Sequence, residues 1–142
     1  MKVLSRNSAA LAVAIAVLAG CKKQEQPAPP PLPPAAPALG ALTMGRAVSA
    51  DKRVRTARDT FAVRDTIYVS IPTTGAGENA KLKVVWTFGT DTVRTDSLTL
   101  NLPGPTVSQL HLSNSQPWPR GVYRVSVTLN GGTSATRSFV VR

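Results

Sequence analysis

Gly121-Val122-Tyr123-Arg124-Val125-Ser126-Val127-Thr128-Leu129 runs into Asn130-Gly131-Gly132, and a second alternating stretch follows through Phe139 and Val141. Tyr123, Val125, Val127 and Leu129 take every second position, the period of a strand with one face in a core. Asn-Gly-Gly between two such runs is a hairpin signal, and parity selects the length of its loop. A two-residue loop would set Tyr123 opposite Ser138 and turn Phe139 outward. A three-residue loop pairs Leu129 with Thr133 and Tyr123 with Phe139, so both aromatics stay inside and a glycine supplies the left-handed position. The longer loop is the expectation. Its register puts Arg137 on the inward parity, which suits a guanidinium only where the strand end is open to water.

Alternation extends outward from this hairpin. Ile67, Val69 and Ile71 alternate with Thr66, Tyr68 and Ser70 until Pro72 ends the run. Leu82, Val84, Trp86 and Phe88 share one face of another strand, and Lys81, Lys83, Val85 and Thr87 share the other. Leu98, Leu100 and Leu102 alternate up to Pro103-Gly104-Pro105, and Leu110 with Leu112 marks a further strand. An early strand near Arg46 to Ala50 and a short one near Thr92 to Arg94 bring the total to about seven or eight, a sandwich count. No 11-residue window carries a helical stripe, so the expected class is all-β, an antiparallel β-sandwich.

Two local strings make this domain similar to the immunoglobulin-like sandwiches. Trp86 stands on the third main strand, where such domains keep a core tryptophan. Gly121-Val122-Tyr123-Arg124-Val125 resembles the Gly-x-Tyr-x-Cys start of their sixth strand, the tyrosine corner. Val125 occupies the cysteine's place, so the resemblance implies sheets joined by apolar packing without the antibody disulfide. The run from Trp118-Pro119-Arg120-Gly121 to Phe139-Val140-Val141 also looks like the end of many Ig-like domains of bacterial envelopes. The likeness spans about 100 residues and implies a fold, because this fold hosts many activities.

The amino-terminal part reads differently. Lys2 and Arg6 precede an apolar run of Ala, Val, Leu and Ile ending in Leu18-Ala19-Gly20-Cys21, the layout of a secretory signal. A membrane-spanning helix needs about 20 apolar residues, and this run is shorter. Leu-Ala-Gly-Cys resembles the lipobox of bacterial lipoproteins. The resemblance implies a signal peptide over 1–20, cleavage between Gly20 and Cys21, and a fatty-acylated diacylglycerol thioether on Cys21 that anchors the chain in the membrane. Two acyl chains suffice for stable anchoring. Lys22 stands where an Asp commonly retains lipoproteins at the inner membrane, which favours the outer membrane and its periplasmic face. Gln24 to Leu42 holds seven of the 12 prolines. Residues 21–42 are therefore expected to be a proline-rich linker, extended at about 3.1 Å per residue, and 43–142 the folded domain. Pro29 to Pro34 also fits a proline-recognition ligand, a reading that a tether beside a lipid anchor makes unnecessary.

Composition narrows the chemistry. One Cys and one His exclude an internal disulfide and a zinc site of usual composition. His111 lies between Leu110 and Leu112 and turns outward, with no nucleophile or orienting acid beside it in sequence; Ser108, Ser113 and Ser115 read as ordinary strand or loop residues. Asp91 follows Gly89 in a turn, Asp96 lies among Arg94, Thr95 and Ser97, and no Asp-rich loop offers calcium its six or more oxygens. Gly75-Ala76-Gly77 lacks a following Lys and reads as a flexible loop. No catalytic residue, cofactor site or metal site is expected, and the chain reads as non-catalytic.

Charge is the remaining signal. Lys plus Arg number 17 against 7 acids, a formal net charge of +10, and loss of Lys2 and Arg6 with the leader leaves the product strongly basic. Lys52, Arg53, Arg55 and Arg58 cluster between Arg46 and Arg64, relieved by Asp51, Asp59 and Asp65. They form the candidate contact for an anionic partner, against the plainer reading of solvated surface spread over several faces. Nucleic acid matches the charge but not an exported setting. Trp118 is either an exposed anchor or, by preference, a lid beside Tyr123. The expectation is a lipid-anchored cell-envelope binding or adaptor protein; the alternative is a structural accessory of an envelope assembly or transport machine.

Overall fold

The computed structural model describes residues 27–142. The expected leader, its cleavage position after Gly20, and Cys21 lie outside the described residues. Pro27 to Pro31 is exposed and without regular structure, and Leu32–Arg142 forms one compact unit.

Nine strands build that unit: β1 (Ala38–Leu39), β2 (Thr43–Gly45), β3 (Thr60–Phe61), β4 (Ile67–Thr74), β5 (Gly77–Phe88), β6 (Asp91–Leu102), β7 (Thr106–Leu112), β8 (Gly121–Leu129) and β9 (Thr133–Val141). The first sheet centres on β4. β7 lines one edge of it, while β1 and β2 share the other, opposite Thr73–Thr74 and Tyr68–Ser70. The second sheet has the order β3-β9-β8-β5-β6, and only β3 runs parallel to its neighbour. The fold is an Ig-like β-sandwich, the sandwich as the alternation implies and the Ig-like form as the resemblance implies, and its nine strands include the two-residue β1 and β3.

The core forms where inward parities meet. Ile67, Val69 and Ile71 from β4, Leu82, Val84 and Trp86 from β5, and Val125, Val127 and Leu129 from β8 are all buried. Phe139 is the hub of an aromatic cluster. Tyr123 stacks on it at 5.2 Å and 16°, while Phe61 and Trp86 meet it edge-on at 5.6 and 6.3 Å. Those are the offset and T-shaped geometries that the ring quadrupoles favour.

The hairpin has the longer loop. Leu129 pairs with Thr133 and Tyr123 with Phe139. Gly131 takes the left-handed region at φ 72°, and Asn130 joins it at φ 53°. Asn130 also clamps the neighbouring strand: its N–H donates to the Lys81 carbonyl, and its Oδ1 accepts from the Lys81 N–H, each at 2.8 Å. Arg137 takes the inward parity in the middle of β9 and is reconciled by charge, because its guanidinium grips Asp59 at 2.8 and 3.0 Å along the edge of β9 that the two-residue β3 leaves unpaired.

The tyrosine corner is present. Tyr123 Oη donates to the Pro119 carbonyl at 2.9 Å, and Trp118 packs edge-on against Tyr123 while its Nε1 donates to the Asp65 carbonyl at 3.1 Å. Trp118 is thus a lid on the sandwich end. Replacing Tyr123 with Phe is expected to cost about 1–2 kcal/mol, the net bond plus a carbonyl left without its donor, read as a lower urea midpoint at unchanged slope. Burial raises the Tyr123 phenol above 10.0, so the unfolded chain loses this proton first as pH climbs. The stability involved is complete below pH 10.0 and falls as pH rises towards the folded value. The Phe variant lacks that loss, and the gap between the two proteins should narrow in alkali.

Five expectations need correction. Pro72 does not end its strand, since β4 runs on to Thr74 with Pro72 opposite Val107 of β7. The packed chain begins before residue 43: β1 pairs with β4, Leu42 is buried, and the Ala35 carbonyl accepts the Ala76 N–H at 2.9 Å. The strand near Arg46 to Ala50 shrinks to one bridge between Val48 and Val54, because the segment turns back on itself. Thr92 to Arg94 is no separate strand but the start of the 12-residue β6. Leu98 shares the inward parity yet stays 37% exposed, since β6 is the edge of its sheet; Leu102 is the leucine of that strand that reaches the core.

Candidate binding faces

The β2–β3 connection carries the predicted basic cluster. Val48 bridges Val54, Ser49 N–H donates to the Arg53 carbonyl at 2.8 Å, and Arg55 N–H donates to the Ala47 carbonyl at 3.1 Å. This small hairpin is pinned to β4 by Ser70, whose hydroxyl donates to the Lys52 carbonyl at 2.7 Å. The turn sets Lys52 at φ 65° and sends neighbouring side chains apart. Lys52 lines a groove of about 380 Å³ with Leu98, Leu100 and Gln109. Arg53 lines a separate groove of about 320 Å³ beside Pro72 and Thr106, and pairs with Asp51 at 3.6 Å. Arg55 is exposed, whereas Arg58 is half-buried with its Nε unpartnered. Lys52 and Arg53, adjacent in sequence, thus line different grooves.

A second basic surface is assembled by strand register. On the outer side of the five-stranded sheet, Lys83 lies between Ser97 of β6 and Thr128 of β8, Lys81 lies opposite Thr99, and Arg124 lies opposite Thr87. Lys81 Nζ donates to Thr99 Oγ1 at 2.8 Å, and Thr136 Oγ1 donates to Ser126 Oγ at 3.3 Å. A shallow concavity of about 590 Å³ opens here, lined by Lys81, Lys83, Ser97, Thr99, Thr128 and Gly131 among others. No Asp or Glu takes the outward positions of β5 from Lys81 to Thr87, β6 from Thr95 to Thr99, β8 from Arg124 to Thr128, or β9 from Ser134 to Ser138. Asp96 points to the other side of β6, where Arg94 binds it at 2.9 Å. Alternation alone places Lys81 and Lys83 outward. What it lacks is the pairing that sets hydroxyls from the two flanking strands, β6 and β8, around them.

The remaining candidates are scattered. His111 is exposed on β7, its ring 5.5 Å from that of Tyr68. Asp91 sits at the β5–β6 turn, where Gly89 takes φ 56°. Gly75-Ala76-Gly77 is a tight β4–β5 turn held by the Ala35 carbonyl, which corrects the flexible-loop reading. Among the described residues no three His, Cys, Asp or Glu side chains gather into a metal-binding group.

No family model matches this chain, and no curated protein matches it. Solved structures do. A β-glucosidase from Erythrobacter marinus aligns at TM-score 0.51 and 10% identity over 75% of this chain and 15% of the glucosidase. A CARDB domain from Pyrococcus furiosus, crystallised in complex with di-metal ions, aligns at TM-score 0.47 and 14% identity over 75% of this chain and 89% of that one. What is shared is the fold. At these identities the β-sandwich is all that the first likeness conveys, and it assigns neither reaction nor ligand to this chain.

Proposed function

We propose that this protein is a lipid-anchored component of the bacterial envelope whose Ig-like sandwich works by binding an anionic partner, without turnover. The observation that carries the binding reading is charge. Residues 32–142 carry 13 Lys and Arg against 6 Asp and Glu, a net +7 on a small sandwich whose Asp51, Asp59, Asp65 and Asp96 are already engaged by arginines at 2.8–3.6 Å. The unengaged cations then set the surface potential, which concentrates anionic ligands and speeds their encounter. The anchor reading rests on Leu18-Ala19-Gly20-Cys21 closing a short apolar leader. Residues 22–34 would act as the tether, shorter than the spacing of prolines implies because the chain docks from Ala35 onward. Confinement at a membrane raises the effective concentration of domain and partner, so a modest intrinsic affinity suffices.

Replacing Cys21 with Ser tests the anchor in the full chain. The wild-type protein should sediment with membranes and carry the mass of its acyl chains. The variant should lose both, keep its leader, and bind an anionic ligand in solution as the parent does. Unchanged sedimentation together with an unacylated wild-type mass would remove the anchor from the account.

A further inference from the structure

We infer that the outer side of the β6-β5-β8-β9 sheet is a docking surface for an acidic polysaccharide, one whose sugars carry carboxylates. The inference rests on the binding reading above and makes it specific. Lys81, Lys83 and Arg124 are the charged side chains of this surface, and among the described residues none is paired with a carboxylate. Thr87, Thr95, Ser97, Thr99, Ser126 and Thr128 fill the positions around them. Neighbouring strands lie about 4.8 Å apart, and successive outward residues about 6.6 Å apart, so the hydroxyls form a regular two-dimensional array. Each hydroxyl both donates and accepts. An array of that kind matches a polymer that is itself covered in hydroxyls, and the cations match its carboxylates.

The alternatives need groups that this surface lacks. Tight protein partners bury aromatic or aliphatic anchors at the interface centre. The centre here offers Val85, half-buried. Lipid bilayers are gripped by apolar side chains that insert, and the exposed Val93, Val122 and Val140 lie towards one end, beside and beyond Arg124. Single-stranded nucleic acid is held by stacking on aromatics. Phe61, Trp86, Trp118, Tyr123 and Phe139 are buried in the core, Phe88 packs against it, and Tyr68 lies on the first sheet. No aromatic residue is left for the outer side of the second sheet.

The experiment measures retention of the full-length Cys21→Ser chain, which carries no acyl chains, in detergent-free buffer on polygalacturonate beads over a range of NaCl. Neutral dextran beads, polyglutamate beads and phosphatidylglycerol vesicles serve as comparisons. Retention on polygalacturonate should exceed the others. Lys81→Glu/Lys83→Glu/Arg124→Glu should lower the affinity at least about tenfold, since three exposed pairs are lost and replaced by repulsion. Lys52→Glu/Arg53→Glu/Arg55→Glu, an equal change of charge on the β2–β3 hairpin, should lower it less. Thr99→Val/Thr128→Val keeps the charge and nearly the shape, so it should weaken polygalacturonate binding and leave any vesicle binding unchanged. A circular dichroism spectrum matching the parent certifies that each variant is folded. Equal loss from both triple variants, or no loss from the Val pair, overturns the inference. Preference for vesicles or polyglutamate over the uronate polymer overturns it while leaving the broader anionic-partner reading standing; failure to bind any of the three polyanions overturns both.

Discussion

Replacing Trp86 with Ala should lower the unfolding free energy by about 3–5 kcal/mol, the usual cost of emptying a core aromatic site. Trp86 is fully buried. It lies between Val125 of β8 and Arg94 of β6 in the register, and it meets Phe139 edge-on at 6.3 Å. The cavity would therefore open beside the aromatic hub of the five-stranded sheet. Domains of this size carry about 5–15 kcal/mol in all, so the variant should forfeit a large share of its stability and unfold at a much lower urea concentration. Trp118, the second tryptophan, remains as a fluorescent reporter for a urea titration. Trp86→Phe separates packing from polarity. The indole Nε1 has no acceptor in the structure, so phenylalanine forfeits no hydrogen bond and should cost distinctly less, about 1–2 kcal/mol of lost volume. A loss below about 1 kcal/mol for the Ala variant would mean that the two sheets do not close over this side chain.

Gly75→Ala should cost about 2–3 kcal/mol and should act on the chain's entry into the fold. Gly75 holds φ +76°, and a Cβ there would stand 2.3 Å from the Ala36 carbonyl oxygen and 2.6 Å from that of Ala35. Both obstacles are backbone, so rotamer changes bring no relief. The segment must lift, breaking the Ala76 N–H to Ala35 carbonyl bond and straining the β1 pairing at Ala38–Thr74. Limited proteolysis reads this directly: cleavage between residues 32 and 42 should accelerate well before the remainder of the sandwich is attacked. Gly131→Ala is the control. It also has a positive φ, 72°, but nothing lies within 4 Å of its Cβ, so it bears conformational strain alone and should cost about 1 kcal/mol. Equal proteolysis rates for Gly75→Ala and the parent would show that residues 35–39 are not held as described.

These two sites mark how far the sequence could be read. Trp86, Tyr123 and Phe139 announce their burial through a period of two, and the three-residue hairpin loop follows from parity because a one-residue slip would expose an aromatic ring. The docking of Ala35 to Leu39 leaves no such trace. Proline density suppresses any strand signal there, and what recruits the segment is the edge of β4, some 35 residues away in sequence. Leu98 misled for the related reason that alternation reports which side of a strand a residue faces and says nothing of whether another sheet covers that side. At the end of its sheet, β6 is only partly covered.

The basic surfaces divide in the same way. Lys52, Arg53, Arg55 and Arg58 are neighbours in sequence, and a tight turn sends Lys52 and Arg53 into different grooves. Lys81, Lys83 and Arg124 are over 40 residues apart at their extremes, and register brings them to one side of one sheet. Local pattern was enough for strand class, inward parity and the hairpin loop, because each depends on the chirality and two-residue repeat of a short stretch, while the tyrosine corner was legible only through the resemblance of Gly121 to Val125 to a known motif. Pairing decided where the domain starts, which leucines are covered and which cations share a face, because those depend on hydrogen bonds between strands that no local stretch contains.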